Sequence, residues 1–255
     1  MTDDQDQKRK SDKEEGFFSE TLKTVVFAVL IALVIRTFFF EPFRIPSESM
    51  LSTLKIGDYL FVSKYSYGYS KHSFPFSAVP IDGRVMDAMP ERGDIAVFKK
   101  PIGEPVDYIK RIIGLPGDTI QVKDGVLFLN GEAVKRERVD DYVDRDLRGN
   151  VRRIPQYRET LPSGKSYLVL DMTSNGSGDN TGVYTVPEGH IFGMGDNRDN
   201  STDSRFLTQV GYIPVENLVG RAEFLFFSLE GDTAVWEVWK LPFATRWERL
   251  FNSLR

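Results

Sequence analysis

Two contrasting patterns occupy the first forty residues. Residues 1–15 are polar and mix both signs of charge, a composition that predicts a disordered tail. From Thr24 to Phe40 the chain is apolar except for Arg36 and Thr37, and Val25 to Ile35 is an unbroken run of 11 apolar residues. Seventeen helical residues span about 26 Å, just short of a hydrocarbon core of roughly 30 Å. Phe17 and Phe18 extend the helix at its start. The long Arg36 side chain reaches toward headgroups at the other end. No polar face runs through 25–35, which argues against a buried soluble helix. A cleaved leader would show a small-x-small site after the apolar run. The chain reads Arg36-Thr37-Phe38-Phe39-Phe40-Glu41-Pro42 there. The pattern therefore predicts a tail over 1–16 and an uncleaved transmembrane helix over 17–40. Lys8, Arg9, Lys10, Lys13 and Lys23 precede the span, and Arg36, Arg44 and Lys55 follow it. The positive-inside rule favours a cytoplasmic N-terminus.

After Pro42 the pattern turns to β. Segments 58–64, 94–99, 107–113, 119–129 and 221–228 are rich in Val, Ile, Phe and Tyr. Gly93-Asp94, Gly117-Asp118, Asp124-Gly125 and Asn130-Gly131 punctuate them as turns. Residues 136–165 are highly charged and read as a surface insertion or a β excursion. Thr173–Gly182 is rich in Gly, Ser and Asn and reads as a mobile loop. At the end, Trp239, Phe243 and Trp247 are four apart and would share a helical face. That face either packs on the body or lies in a membrane interface, and Pro242 limits any helix that starts earlier. The prediction is a mainly β body after a single N-terminal transmembrane helix.

Composition narrows the chemistry. The 255 residues are 41% hydrophobic and 27% charged, as expected of a folded body. A net charge of −4 gives no reason to expect a nucleic-acid partner. The chain has no cysteine, which excludes disulfides, thiolate nucleophiles and zinc–cysteine sites. Its two histidines, His72 and His190, rule out a three-histidine metal site. A histidine-based serine triad would have to use one of them.

Three segments carry candidate chemistry. Ile45–Leu54 contains Ser47, Ser49, Ser52 and Thr53 and begins five residues past the apolar span. Nine residues from Phe40 to Ser49 reach at most about 30 Å, so Ser49 lies close to the bilayer surface. In Asp107–Asp118, Lys110 and Arg111 interrupt a strand-like apolar run. Read alone, this is an amphipathic edge strand with both cations solvated. Alternation puts Tyr108, Lys110 and Ile112 on one face and Ile109, Arg111 and Ile113 on the other, so one charge points inward. The third segment, Gly195–Arg205, is dense in Asp, Asn, Ser and Arg. Its spacing of Asp196, Asp199 and Asp203 does not fit an EF-hand loop.

Together these strings resemble the bacterial type I signal peptidases, the leader peptidases with a serine–lysine dyad. The patterns S-x-S-M-x-x-T-L, G-D-x-x-x-V-x-K, R-G-D-I-x-V-F, Y-I-K-R-x-x-G-x-P-G-D and G-D-N-R-D-N-S-x-D-S-R occur in order. They stand at Ser47–Leu54, Gly57–Lys64, Arg92–Phe98, Tyr108–Asp118 and Gly195–Arg205. The resemblance implies a pseudo-barrel catalytic β domain, over 41–135 and 191–255, with a second β region inserted over 136–190. It implies Ser49 as nucleophile, Lys110 as general base, and Ser201 as the group that orients Lys110. Ser47 and the Ser49 N–H would form the oxyanion hole, with Asp203 and Arg205 paired nearby as scaffold. Phe43, Ile45, Val97, Tyr108 and Ile109 would surround small pockets for residues −1 and −3 of a leader peptide bound as an added strand. Expected partners are exported preproteins bearing signal peptides and membrane phospholipid, with no nucleic acid. The expected place is the bacterial cytoplasmic membrane, single-pass, with the body on the outer, periplasmic side. No metal and no organic cofactor is expected. Ser52 stands where many members have Pro; the missing ring loosens the turn but removes no reacting group.

The chemistry is physically reasonable. A serine hydroxyl needs a base to take its proton. A lysine serves only when neutral, so its pKa of about 10.4 must fall through desolvation or nearby positive charge, here with Arg111 next in sequence. Two other readings compete. A self-cleaving repressor shares the chemistry but calls for an N-terminal helix-turn-helix. A membrane-tethered β adaptor would leave Ser49 and Lys110 incidental.

Overall fold

The computed structural model describes residues 3–74, 80–145, 151–173, 175–231, 233 and 236–254, except for the side chains of residues 3–18 and 145. Helix α1 runs Asp3–Phe38. Its stretch Ser19–Phe38 has 20 residues, a mean hydropathy of 2.0 and no side chain buried against the body. At 1.5 Å per residue it is about 30 Å long, enough to cross a hydrocarbon core. The N-terminal stretch expected to be disordered has helical backbone from Asp3 onward. Glu, Gln, Lys and Arg are good helix formers, and a nucleated helix propagates through them readily. The helix also stops at Phe38, short of residue 40, because Phe40 already pairs with Ser63 in the first strand pair.

Strands β1 (Phe40–Arg44), β2 (Asp58–Ser63), β3 (Ile95–Lys99) and β4 (Asp107–Gly114) follow. Next come β5 (Thr119–Lys123), β6 (Val126–Leu129), β7 (Glu132–Ala133) and β8 (Lys135–Arg145). Then come β9 (Val151–Thr160), β10 (Ser166–Leu170), β11 (Tyr184–Thr185) and β12 (His190–Met194). Last are β13 (Ile213–Pro214) and β14 (Leu218–Ser228). The main sheet is curled and has seven strands in the order β1-β2-β14-β3-β4-β12-β13, all antiparallel neighbours. Two smaller sheets, β10-β9-β8 and β11-β5-β6-β7, straddle residue 136. The mainly β body with one N-terminal apolar helix is the architecture the sequence pattern implied.

Local chemistry accounts for the turns. Asp124-Gly125 and Asn130-Gly131 have φ of 49° and 76°, and 54° and 83°. Two consecutive positive-φ residues make the hairpin turn whose twist matches the flanking strands. The strand β3 is buried from Ile95 to Phe98, as a central strand covered on both faces should be. Beneath the main sheet, Ile45, Met50, Leu54, Leu60, Val97 and Leu225 share one core cluster.

The C-terminus departs from the helical-face expectation. Among the described residues there, only one α-turn forms, α2 (Leu241–Ala244), with Pro at its start. Trp239, Phe243 and Trp247 are 68%, 90% and 64% exposed. The tail is held by other groups. Arg249 donates to both Asp58 carboxylate oxygens, at 3.1 and 2.5 Å, and Leu254 enters the core.

Candidate active site

Ser49 lies in a tight turn between β1 and β2. Met50 and Leu54 are fully buried and anchor this turn from below, which leaves Ser47, Glu48 and Ser49 at the surface. They form one wall of a cleft of about 320 Å³, with Pro46. The other wall is Asp107–Lys110 on β4, and Asn200 and Thr202 complete the lining. β12 pairs with β4 only at Arg111, Ile112 and Gly114. The β4 edge that faces the cleft is therefore unpaired before Arg111, open to an added strand.

Lys110 reaches across this cleft. Its Nζ donates to Ser49 Oγ at 2.8 Å and to the Ile109 carbonyl at 2.9 Å. The residue is 3% exposed. Burial pulls its pKa from 10.5 down to about 8, against the opposing pull of Asp203 and Asp196, with Arg205 adding to the fall. Arg111 is no part of that cause, contrary to the expectation from sequence adjacency. It points to the other face of β4 and is neutralised there.

Arg111 also overturns the picture of an edge strand with at most one inward charge. β4 lies between β3 and β12, and both cations are buried. Arg111 grips Asp196 through two bonds, of 2.8 and 2.6 Å. It stacks over the Tyr167 ring, 4.3 Å from its centroid, and Thr53 Oγ1 donates to the same Asp196 at 2.6 Å. Burial works against the Arg111 charge, but Asp196 outweighs it and raises the pKa.

The Gly195–Arg205 segment packs against the back of the turn. A Cβ on Gly195 would stand 2.2 Å from Ser201 Oγ and 2.5 Å from the Ser49 carbonyl oxygen, so only glycine fits. Asp203 and Arg205 form a fully buried pair with two bonds of 2.9 Å. Burial pushes the Asp203 carboxyl up, but Arg205 pulls harder and holds it low. Ser201, expected to orient Lys110, is buried but does not bond to it. Its hydroxyl has no hydrogen bond of normal geometry and lies beside Asp203, whose ionised form it favours. The Lys110 amine is aimed instead by the Ile109 carbonyl. Ser47 is exposed at the lip of the cleft.

Of the expected pocket residues, Tyr108 and Ile109 line the cleft. Ile45 and Val97 lie in the core cluster that Phe43 and Ile109 pack against. Ser52 does not loosen the turn. Its φ is 91°, a value closed to proline with φ near −65°, and its hydroxyl bonds the Leu168 carbonyl at 2.8 Å. His72 lies in a short turn at Lys71–Ser73 and His190 opens β12; neither lines the cleft.

Sequence reasoning missed the braces supplied by the charged excursion. Arg198 forms a buried two-bonded pair with Glu159 of β9, at 2.8 and 2.5 Å, and Tyr167 of β10 donates to Glu159 at 3.0 Å. Glu159 lies in the highly charged stretch 136–165, which reads as surface. Thr173–Gly182, expected as a mobile loop, is pinned by two carboxylates. Asp199 accepts the Met172 and Thr173 N–H groups at 2.6 and 3.1 Å, and Asp179 accepts the Gly176 N–H at 2.6 Å. Ser174 of that stretch lies outside the described residues. Asp171, Asp179 and Asp199 offer oxygens within 4.8 Å of one another, apart from the cleft.

The comparisons with known proteins agree in one direction. The sequence profile of the family described as "Signal peptidase, peptidase S26" matches residues 18–227. Signal peptidase I of Rickettsia typhi is 43% identical over 228 residues, 86% of this chain and 84% of that one. Signal peptidase I of Rickettsia canadensis is 42% identical over 214 residues, 81% of this chain and 78% of that one. A crystal structure of a signal peptidase I from Enterococcus faecalis is 27% identical over 52% of this chain and 97% of that one. Its TM-score is 0.31, too low to compare the folds.

Proposed function

The chain belongs to the signal peptidase family, peptidase S26, and we propose that within it Ser49 is the nucleophile and Lys110 the general base. The enzyme is a serine endopeptidase that removes signal peptides from exported preproteins. One observation carries the assignment of the pair. A buried lysine with pKa near 8 donates to a serine hydroxyl at 2.8 Å inside a cleft. At neutral to mildly alkaline pH part of that lysine is neutral and able to accept the serine proton.

Ser49 Oγ attacks the scissile carbonyl as its proton passes to Lys110 Nζ. The oxyanion is received by the Ser49 N–H and the Ser47 hydroxyl. Lys110 then returns the proton to the leaving amine, and a water repeats the sequence on the acyl-enzyme. The leader lies as an added strand between Pro46–Glu48 and the open β4 edge, with its scissile bond over Ser49. The tightly packed Ile45 and Val97, with Phe43, Tyr108 and Ile109, leave room only for small residues at −1 and −3. Asp203 and Arg205 act as scaffold, and Ser201 serves Asp203. The helix spans the cytoplasmic membrane once with residues 1–16 in the cytoplasm. The catalytic parts, 41–135 and 191–255, and the excursion, 136–190, stand on the outer side, against phospholipid.

Cleavage of a leader-bearing precursor tests this. Ser49→Ala and Lys110→Met each abolish it, and the pair together cost little more than either alone. Replacing both His72 and His190 by Gln leaves activity and its rise with pH intact. Full activity in either single variant, or loss of the pH rise without the histidines, overturns the assignment.

A further inference from the structure

Asn197 is 2% exposed and touches the nucleophile turn twice. Its main-chain N–H donates to the Ser49 carbonyl at 3.1 Å, and its side-chain Nδ2 donates to the Glu48 carbonyl at 3.0 Å. The Glu48 carbonyl also accepts the Leu51 N–H at 2.9 Å, so two donors fix its direction. That carbonyl belongs to the same peptide unit as the Ser49 N–H. The unit is planar and trans, so the two groups point in opposite directions. Holding the Glu48 oxygen toward Asn197 therefore turns the Ser49 N–H away from Asn197. Among the described residues that N–H donates to no acceptor.

We propose that Asn197 is a positioning residue that sets the direction of the Ser49 N–H, the oxyanion donor, by gripping the opposite end of its peptide unit. This rests on Ser49 being the nucleophile.

Three features support it. Rotating the Asn197 amide would set its oxygen against the Glu48 oxygen, two acceptors face to face, so the donor orientation is fixed. The other amide atom, Oδ1, is buried without a hydrogen-bond partner. Among the described residues the side chain therefore makes its hydrogen bond through its donor end alone. Asn197 itself cannot drift. Its neighbours Asp196 and Arg198 are each locked in buried two-bonded ion pairs, with Arg111 and Glu159. The Asp196 carbonyl also accepts the Leu170 N–H at 2.8 Å.

The test uses the full-length enzyme in detergent, a leader-peptide substrate and a leader-derived peptide aldehyde. Ser49 Oγ–H adds across the aldehyde carbonyl to give a hemiacetal whose oxygen occupies the oxyanion position. Asn197→Ala removes the grip, and Asn197→Asp keeps the shape but replaces the donor by a carboxylate oxygen. Rates are normalised to correctly folded sites. Both variants should lower kcat by about 10–100-fold, less than the roughly 100–1000-fold for outright loss of one oxyanion donor because the N–H is misdirected and not removed, with KM within about twofold. Aldehyde affinity should fall in parallel with kcat/KM, while affinity for the cleaved leader stays unchanged. In Asn197→Ala the pH at which the rate rises should stay where it is, because burial sets the Lys110 pKa. Unchanged kcat, or a raised KM with kcat intact, overturns the proposal. If neither variant folds, exchange of the Asn197 side-chain amide protons in the unsubstituted enzyme decides. Slow exchange of one proton supports the grip, and free exchange of both overturns it. Activity in Ser49→Ala would instead strike the assignment of the nucleophile.

Discussion

Lys110 and Arg111 are neighbours on β4, 3% and 4% exposed, and their pKa values move in opposite directions. Arg111 enters a region where Asp196 meets its guanidinium with two bonds and Tyr167 covers its face. Burial there comes with a matched counterion, so the charge persists. Lys110 enters a region where its near contacts are a hydroxyl and a carbonyl. The carboxylates that favour its charge, Asp203 and Asp196, are each already bound to an arginine. Burial is therefore answered only in part, and the proton is loosened. Burial alone does not decide the fate of a charge; a dedicated partner does.

The largest effect expected from this contrast is a division of labour between the two cations. Lys110→Met should remove cleavage by several orders of magnitude while the protein stays folded. Arg111→Met should cost about 3–5 kcal/mol of stability, because it leaves Asp196 buried and unpaired. Precursor cleavage and chemical denaturation on both variants check it. Equal stability losses would erase the distinction. Restoring neutrality with Arg111→Met plus Asp196→Leu should recover a good part of that loss.

The pH dependence sharpens the comparison. The folded pKa of Lys110 lies below its unfolded value, so the unfolded chain binds the extra proton between about pH 8 and 10.5. Stability is lost as pH falls through that window and the loss is complete below it. At 1.36 kcal/mol per unit it amounts to about 3 kcal/mol. The stability of Lys110→Met relative to the parent should thus be greater at pH 7 than at pH 11 by about that amount. The cleavage rate of the parent should rise through about pH 8. A flat stability difference across this range would mean that Lys110 is not held neutral by burial.

The smallest effects concern the turn itself. Ser52→Ala removes one hydrogen bond to Leu168 and should cost about 1 kcal/mol. Ser52→Pro demands a φ the turn does not have, so it should cost more than Ser52→Ala and lower kcat by displacing Ser49. Proline tolerated better than alanine would show that the turn readily adopts another path.

Much of this was legible along the chain. The apolar run marked the helix, and Asp124-Gly125 and Asn130-Gly131 marked two turns. Ser49 and Lys110 stood out as a serine and a lysine in motif-bearing segments. These features are local, because turn geometry and strand alternation are set by residues a few positions apart. Other features depend on distant partners. That Arg111 turns inward to Asp196, 85 positions away, has no local signature. Neither does the pairing of Arg198 with Glu159, since an acidic residue in a charged stretch looks the same whether solvated or buried. The sequence by itself determined the apolar helix, the β character of the body and the candidate reactive residues Ser49 and Lys110. Only the tertiary structure decided which of two adjacent cations holds its proton less tightly, because that depends on what each meets once water has been removed.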